Sequence, residues 1–266
     1  MAHREPVIER LRASGCVFAE QEADLLLEAA TTPAELDALL DRRTGGEPIE
    51  HLLGWVEFAG MRLRVDPGVF VPRRRTRLLA DTAAHPPGRE QRTEPVLVEL
   101  CCGAGAVSAV LATKLDLLEL HAADIDPNAV RCARRNLPGA QVHEGDLDEP
   151  LPEGLLSRVD VLVANAPYVP SAAVGTMPPE ARDHEPQVAL DGGTDGLDVQ
   201  RRVIAAAPRW LAPGGDLIIE VADHQAHQVA RTVAAAGLSP HIVRDEEVEA
   251  TAVVGRTPAG WASSVA

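Results

Sequence analysis

From residue 96 onward the chain alternates short apolar runs with segments of helical spacing. The helical segments cover residues 105–114, 127–136 and 197–210, and another ends at Ala236. Strands that alternate with helices predict an α/β fold with a doubly wound, mostly parallel sheet. The runs that we interpret as strands are VLVEL, LELHAAD, AQVHE, VDVLVA, DLIIEV, SPHIVRD and ATAVVGR.

Residues 1–44 have the pattern of a small helical N-terminal domain. Apolar positions recur at helical spacing over residues 5–42. Thr32 followed by Pro33 is typical of a helix start, with the threonine as cap and the proline in the first turn. We expect this domain to recognise the substrate.

A connector over residues 45–75 follows the helical segment. Within it the run EFAGMRLRV alternates about Ala59-Gly60, which predicts a β-hairpin. The α/β domain would then occupy residues 76–266. Before its first strand, residues 85–95 have the proline, glycine and charge content of an exposed loop, and a turn is expected at residues 213–215 before DLIIEV.

The composition is that of a globular protein. Of the 266 residues, 45% are hydrophobic, which is ordinary, and no apolar stretch approaches the roughly 20 residues of a membrane span. The N-terminal run MAHREPVIER is charged where a signal peptide needs an apolar region, so a cytoplasmic protein is expected. The cysteines form no CxxC pair and predict neither a disulfide framework nor a metal site; they are Cys16, Cys101, Cys102 and Cys132.

The formal net charge of −15 opposes general nucleic-acid binding, because that affinity comes mainly from lysine and arginine. Residues 62–77 are an exception, with six arginines and one aspartate. This run could be a docking patch for an acidic or RNA-bearing partner. It could equally be a set of solvated arginines and ion pairs.

Candidate binding residues follow the first predicted strands, where open α/β sheets place their ligands. The first strand leads through Glu99 to Gly103 and Gly105, which would let a ligand approach the backbone at a helix N-terminus. The full GxGxxG of a dinucleotide site is missing, since Cys101 stands at its first glycine. The second strand ends at Asp124, whose carboxylate could accept hydrogen bonds from ribose hydroxyls.

Three further positions complete the candidate site or its support. Asp126, before a proline, is interpreted as a helix cap. Asp146 and Leu147 follow the third strand, where the carboxylate would face the exocyclic amine of a bound base and the leucine its flat side. A nucleoside site of this kind fits S-adenosylmethionine better than NAD, because no phosphate has to be held.

The strand VDVLVA ends in the sequence NAPY, followed by a predicted long loop. The Asn165 side-chain oxygen and the Ala166 carbonyl could both accept from a planar NH₂ group and aim its nitrogen at a methyl donor. Pro167 would stiffen the turn, and the Tyr168 ring could stack on the substrate or face a cation. A simple polar turn is the alternative interpretation.

Several longer motifs make the chain similar to the PrmC/HemK family. They are GEPIEHLLGWVEFAGMRLRV, FVPR, ELCCGAG, ADIDP, GDL, NAPYVP and HEPQVALDGGTDGLD. The resemblance implies a class I S-adenosylmethionine-dependent methyltransferase, with a Rossmann-like seven-stranded sheet, that methylates the glutamine N5 of the release-factor GGQ loop.

The resemblance also assigns roles to residues and partners. Asn165, Ala166, Pro167 and Tyr168 would be catalytic, with Asn165 also near the cofactor. We expect a monomer whose partner is a protein substrate, a peptide-chain release factor, with neither membrane nor general nucleic-acid binding. The cofactor-binding set would be Glu99, Cys101, Cys102, Gly103, Ala104, Gly105, Asp124, Asp146 and Leu147.

The chain departs from the family pattern in three places. Ala166 replaces the first proline of NPPY but keeps the carbonyl. The family's RPDTE is RRRTR at residues 73–77, so two acids become arginines, and Cys101-Cys102 replaces Gly-Thr. Alternatives are a small-molecule methyltransferase derived from this family, a nucleic-acid adenine-N6 methyltransferase, which shares the amide-holding turn, and a scaffold that only binds cofactor.

Overall fold

The computed structural model describes residues 4–86, 93–117 and 119–261. It begins with three helices, α1 (Arg4–Ala13), α2 (Ala19–Ala29) and α3 (Pro33–Thr44). The Thr32 hydroxyl accepts a hydrogen bond from the Glu35 N–H, which confirms the predicted helix start. These helices share an apolar core of their own, made of Val7, Ile8, Leu11, Ala19, Ala23, Leu26 and Leu40.

The segment after α3 contains a short helix, α4 (Ile49–Leu53), and the predicted hairpin of β1 (Trp55–Phe58) and β2 (Met61–Arg64). Ala59 and Gly60 both have positive φ, 49° and 80°, as the favoured two-residue hairpin turns require. The hairpin is therefore confirmed, whereas the domain boundaries stay a prediction.

A seven-stranded sheet forms the centre of the molecule, with the order β5-β4-β3-β6-β7-β9-β8. Only β9 runs against its neighbours, so the predicted doubly wound, mostly parallel sheet is confirmed. Its strands are β3 (Val96–Leu100), β4 (Glu119–Asp124), β5 (Gln141–Glu144), β6 (Val159–Ala164), β7 (Leu211–Val221), β8 (Ser239–Asp245) and β9 (Ala250–Arg256).

Helices cover both faces of this sheet. The sheet therefore lies between two apolar cores, one on each face. Strands β3 and β6 lie between those cores and are buried along their whole length. Among the described residues, no helix is long and apolar enough to span a bilayer. The remaining helices are α5 (Arg77–Ala84), α6 (Ala106–Lys114), α7 (Pro127–Asn136), α8 (Ser171–Val174), α9 (Pro179–His184), α10 (Gln187–Leu190), α11 (Asp198–Trp210) and α12 (Ala226–Ala235).

Two local predictions were wrong, and a third falls mainly outside the described residues. Residues 213–215, where a turn was expected, lie inside β7. The pairing of β7 with β6 changes register there, between Val159 and Val161, because the strand bulges and then continues. The long loop after NAPY contains the helices α8, α9 and α10, each of which follows a proline but is too short for a periodic signal. The predicted loop at 85–95 lies largely in residues 87–92, which the structure does not describe.

Arg43 forms a buried ion pair within the N-terminal helices and a second, partly exposed pair with the segment after NAPY. The guanidinium of Arg43 is bidentate to Glu22, with N–O distances of 2.5 and 2.9 Å, and both side chains are about nine-tenths buried. The other terminal nitrogen, Nη1, lies 2.6 Å from a carboxylate oxygen of Glu180 in α9. One arginine thus holds helices α2, α3 and α9 together.

Replacing Arg43 by alanine should lower the free energy of unfolding by about 3–5 kcal/mol, because the Glu22 carboxylate would stay buried without its partner. The matched control is Arg42→Ala, since the neighbouring Arg42 is half exposed in its pair with Glu47 and should contribute only about 0–1 kcal/mol. Urea titration of both variants measures the difference. Equal losses would contradict the assignment of Arg43 as a buried tie.

Candidate active site

A cavity of about 210 Å³ lies at the carboxyl edge of the parallel strands, beside residues 70–76 of the connector. It brings together every predicted site residue except Gly105, the N-cap residue of α6. The individual roles of these residues stay predictions. Lining the cavity are Glu99, Cys101, Cys102, Gly103, Ala104, Asp124, Asp146, Leu147, Asn165, Ala166, Pro167 and Tyr168.

The loop between β3 and α6 depends on left-handed backbone conformations. Gly103 and Gly105 have φ of 54° and 76°, and a Cβ added at Gly105 would lie 2.7 Å from the side chain of Leu137. At Gly103 an added Cβ would meet nothing within 4 Å, so this part of the loop leaves room for a ligand. Cys101 also has a positive φ, 53°, at the position where the resembling family has glycine.

Asp124 binds the glycine loop as well as ending β4. One oxygen of its carboxylate accepts from the Gly103 N–H at 2.8 Å, and the other from the Asp126 N–H at 2.9 Å. Each carboxylate oxygen keeps a further acceptor site for a ligand hydroxyl. Burial raises the pKa of Asp124 above its ordinary value, against the effect of these N–H donors. The Asp126 side chain accepts from the Asn128 N–H, so its interpretation as a helix cap is confirmed.

The other two acids of the candidate cofactor site, Glu99 and Asp146, have different surroundings. Glu99 is buried and accepts from the Ser108 N–H at 2.8 Å, and burial raises the pKa of Glu99 to about 7. Asp146 is paired with Arg202 at 2.8 Å, a partner that the sequence did not suggest. Leu147 is buried beside it, as a residue packing on a flat ring would be.

The NAPY turn holds its asparagine in a defined orientation. The Asn165 amide nitrogen donates to the hydroxyl of Thr76 at 3.2 Å, and Thr76 is buried. The Asn165 side-chain oxygen has no hydrogen bond within the described residues and is left for a ligand in the cavity. Sequence reasoning missed Thr76, although it is the threonine shared between RRRTR and the family's RPDTE.

Tyr168 is fixed by two charged side chains from distant parts of the chain. Its hydroxyl donates to a carboxylate oxygen of Glu220 at 3.2 Å and accepts from Arg75 at 2.6 Å. The guanidinium carbon of Arg75 also lies 5.8 Å from the centre of the tyrosine ring. The Tyr168 ring therefore faces a cation that belongs to the protein itself.

Arginines of the basic run pair with acids of the same chain. The buried carboxylate of Glu185 binds Arg73 at 2.7 Å and also accepts from the Val71 N–H, which joins the HEPQVALDGG segment to the connector. These contacts favour intramolecular ion pairs over a free basic docking patch. The further pairs are Arg74 with Glu247, Arg75 with Glu220, and Arg77 with Asp81 and Asp245.

The raised pKa of Glu99 should be measurable as a pH-dependent stability. Because the folded-state pKa of about 7 exceeds the ordinary 4.5, the proton that Glu99 holds favours the folded state below about pH 4.5, and this advantage is lost as the pH rises through 7. We expect the free energy of unfolding to fall by about 3 kcal/mol over this window relative to Glu99→Gln, which carries no titratable group. Parallel pH profiles of the two proteins would contradict a buried, protonated Glu99.

Comparison with known proteins identifies methyltransferases as the relatives of this chain. The methyltransferase small domain family matches residues 60–177. A release factor glutamine methyltransferase of Streptomyces coelicolor is 38% identical over 209 residues, 76% of this chain and 74% of that protein. A 4-amino-L-phenylalanine/4-methylamino-L-phenylalanine methyltransferase of Streptomyces pristinaespiralis is 34% identical over 236 residues, 87% of this chain and 80% of that protein.

Among solved structures, a methyltransferase from Pyrococcus furiosus has a TM-score of 0.56 at 17% identity, covering 75% of this chain and 90% of its own. The class I S-adenosylmethionine-dependent methyltransferase fold is thereby confirmed, and the curated relatives show that the protein is a methyltransferase. On the identity and coverage of its curated relatives, the chain belongs to the PrmC/HemK family of release factor glutamine methyltransferases.

Proposed function

We propose that this protein transfers a methyl group from S-adenosylmethionine to the N5 amide nitrogen of a glutamine in the GGQ loop of a peptide-chain release factor. The observation that carries the proposal is the orientation of Asn165 by Thr76, which leaves one amide oxygen free at the end of β6. Relatives named as release factor glutamine methyltransferases support this choice of acceptor.

The residues around the cavity fit S-adenosylmethionine. Asp124 has acceptor capacity left for ribose hydroxyls, and Gly103 leaves space for close backbone approach. The ion pair between Asp146 and Arg202 would share its carboxylate with the base amine, while Leu147 packs on the ring. Bound there, the cofactor would supply the methyl group of its sulfonium and leave as the neutral thioether, while the acceptor nitrogen would lose one proton to water. Glu99, Cys101, Cys102 and Ala104 would line the rest of its site.

Catalysis by this chain would consist mainly of holding the acceptor nitrogen. The Asn165 oxygen and the Ala166 carbonyl would each accept one N–H of the planar NH₂ group, which orients the nitrogen toward the methyl group. A neutral amide nitrogen is a poor nucleophile, so alignment and preorganised acceptors must supply much of the rate. Pro167 keeps Ala166 extended, and alanine retains the carbonyl that the family's proline would offer.

The direct test is methyl transfer from radiolabelled S-adenosylmethionine to a purified release factor. We expect label on the wild-type factor and none on a factor whose GGQ glutamine is replaced by alanine. Mass spectrometry should place a single added methyl group on that glutamine. Absence of label on the wild-type factor, with label on a small amine under the same conditions, would contradict the protein substrate.

In the proposed mechanism Asn165 holds the acceptor amide and contributes little to cofactor binding. Asn165→Ala should lower kcat on the order of a hundredfold, the scale seen when a preorganised polar group is removed. S-adenosylmethionine affinity, measured by calorimetry, should change little. Thr76→Val keeps the acceptor oxygen but removes its orienting partner, so a smaller loss of kcat is expected. Full activity of Asn165→Ala would show that NAPY is only a turn.

A second acceptor class is supported by Arg75. The family has an acid at this position in RPDTE, whereas here a guanidinium lines the cavity beside Tyr168. One relative that matches 87% of this chain is named as a 4-amino-L-phenylalanine/4-methylamino-L-phenylalanine methyltransferase. A small-molecule amine is therefore the second candidate acceptor. The nucleic-acid alternative gains nothing from the site, because the four arginines of the basic run nearest to it, residues 73–75 and 77, are paired with acids.

A further inference from the structure

Arg75 is held in place but is only half-buried. Its side chain is 46% exposed and lines the same cavity as Asn165. The Nε–H donates to Glu220 at 3.2 Å, and one terminal nitrogen, Nη2, donates to the Tyr168 hydroxyl at 2.6 Å. Glu220 is almost fully buried, so this anchor is fixed in the body of the protein.

The anchor leaves much of the guanidinium unused. Arginine has five N–H donors, and these two hydrogen bonds engage one on Nε and one on Nη2. The other terminal nitrogen, Nη1, makes no hydrogen bond within the described residues. The free donors on the two terminal nitrogens form the fork that binds a carboxylate through two parallel hydrogen bonds.

The surroundings of Arg75 favour an acceptor with an apolar body and one anionic group. The other arginine that lines this side of the cavity, Arg73, donates from Nη2 to both oxygens of Glu185, and its guanidinium carbon lies 5.1 Å from the centre of the Phe70 ring. Around them the lining is largely apolar, with contributions from Phe70, Met177, Val188 and Leu190. A carboxylate in this part of the cavity would find Arg75 as its partner.

We infer that Arg75 is a specificity-determining residue for the second candidate acceptor, a small molecule that carries its NH₂ group on an apolar body, and that Arg75 binds a carboxylate of that molecule. The inference rests on this second acceptor class of the proposed function and goes beyond it by naming the charge of the acceptor. A glutamine inside a polypeptide offers Arg75 only a neutral main-chain carbonyl, which is a weaker partner than a carboxylate.

A matched pair of probes separates charge from shape. 3-(4-Aminophenyl)propanoate and its primary carboxamide have the same aromatic amine and nearly the same size, and differ in the negative charge. Their dissociation constants would be measured by calorimetry on the full-length protein saturated with S-adenosylhomocysteine, so that no methyl transfer is needed. The proteins are wild type, Arg75→Gln, Arg75→Lys and the control Arg74→Gln. Arg74 is its mostly exposed neighbour, paired with Glu247.

We expect wild type and Arg74→Gln to bind the acid about tenfold more tightly than the amide. Arg75→Gln should reduce this ratio to about one, and Arg75→Lys, which keeps the charge but not the fork, should give an intermediate ratio. A ratio near one in wild type, a ratio that survives Arg75→Gln, or no binding of either probe would overturn the inference. Transfer to the release factor is measured separately, so failure of the proposed function and failure of this inference give different results.

Discussion

Parallel pairing of β3 with β4 on one side and β6 on the other is the constraint on which the site depends. The register aligns Leu100 with Ala123 of β4 and with Ala164 of β6, so three chain segments leave the sheet at the same level. The segments that leave there carry the glycine loop, Asp124 and the NAPY turn. A slip of this register would separate the acids from the turn, and it would disturb the packing of β3 and β6, which are buried on both faces.

Much of this arrangement was predictable because it is written in local patterns. Strand VDVLVA is apolar and β-branched, NAPY follows it directly, and the carboxyl ends of parallel strands meet at one edge. Thr32 and Asp126 were recognisable as caps because a cap acts over two or three residues. These signals need no knowledge of the tertiary structure.

The partners that complete the site were not predictable, because they lie far apart in sequence. Thr76 reaches Asn165 across 89 residues, and Arg75 reaches Glu220 across 145. No periodicity or spacing in the sequence predicts such pairs, since they arise only when the connector folds over the edge of the sheet. The short helices after NAPY were missed for a related reason: a helix of four to six residues shows no apolar repeat.

The arginines of the connector show that the net charge of a chain does not reveal how its individual charges are paired. In a chain with a formal charge of −15, a basic run is open to interpretation as a docking site for an acidic partner. In the structure, however, Arg73 and Arg75 are paired with buried carboxylates of the same chain. Such pairs hold a geometry more than they add stability, because the desolvation of both charges offsets much of their attraction. Their effect is to join the connector to the segment after NAPY and to β7.

Asp124 has a consequence for the thermodynamics of ligand binding. Its carboxylate already holds the Gly103 N–H and the Asp126 N–H, so the glycine loop is ordered by the same group that is expected to meet the ribose. The conformational entropy of that loop is lost when the protein folds and not when the ligand arrives, which is the condition for a preorganised site. Folding and recognition are therefore coupled through one side chain, and a ligand that binds to it should also protect the loop from local unfolding.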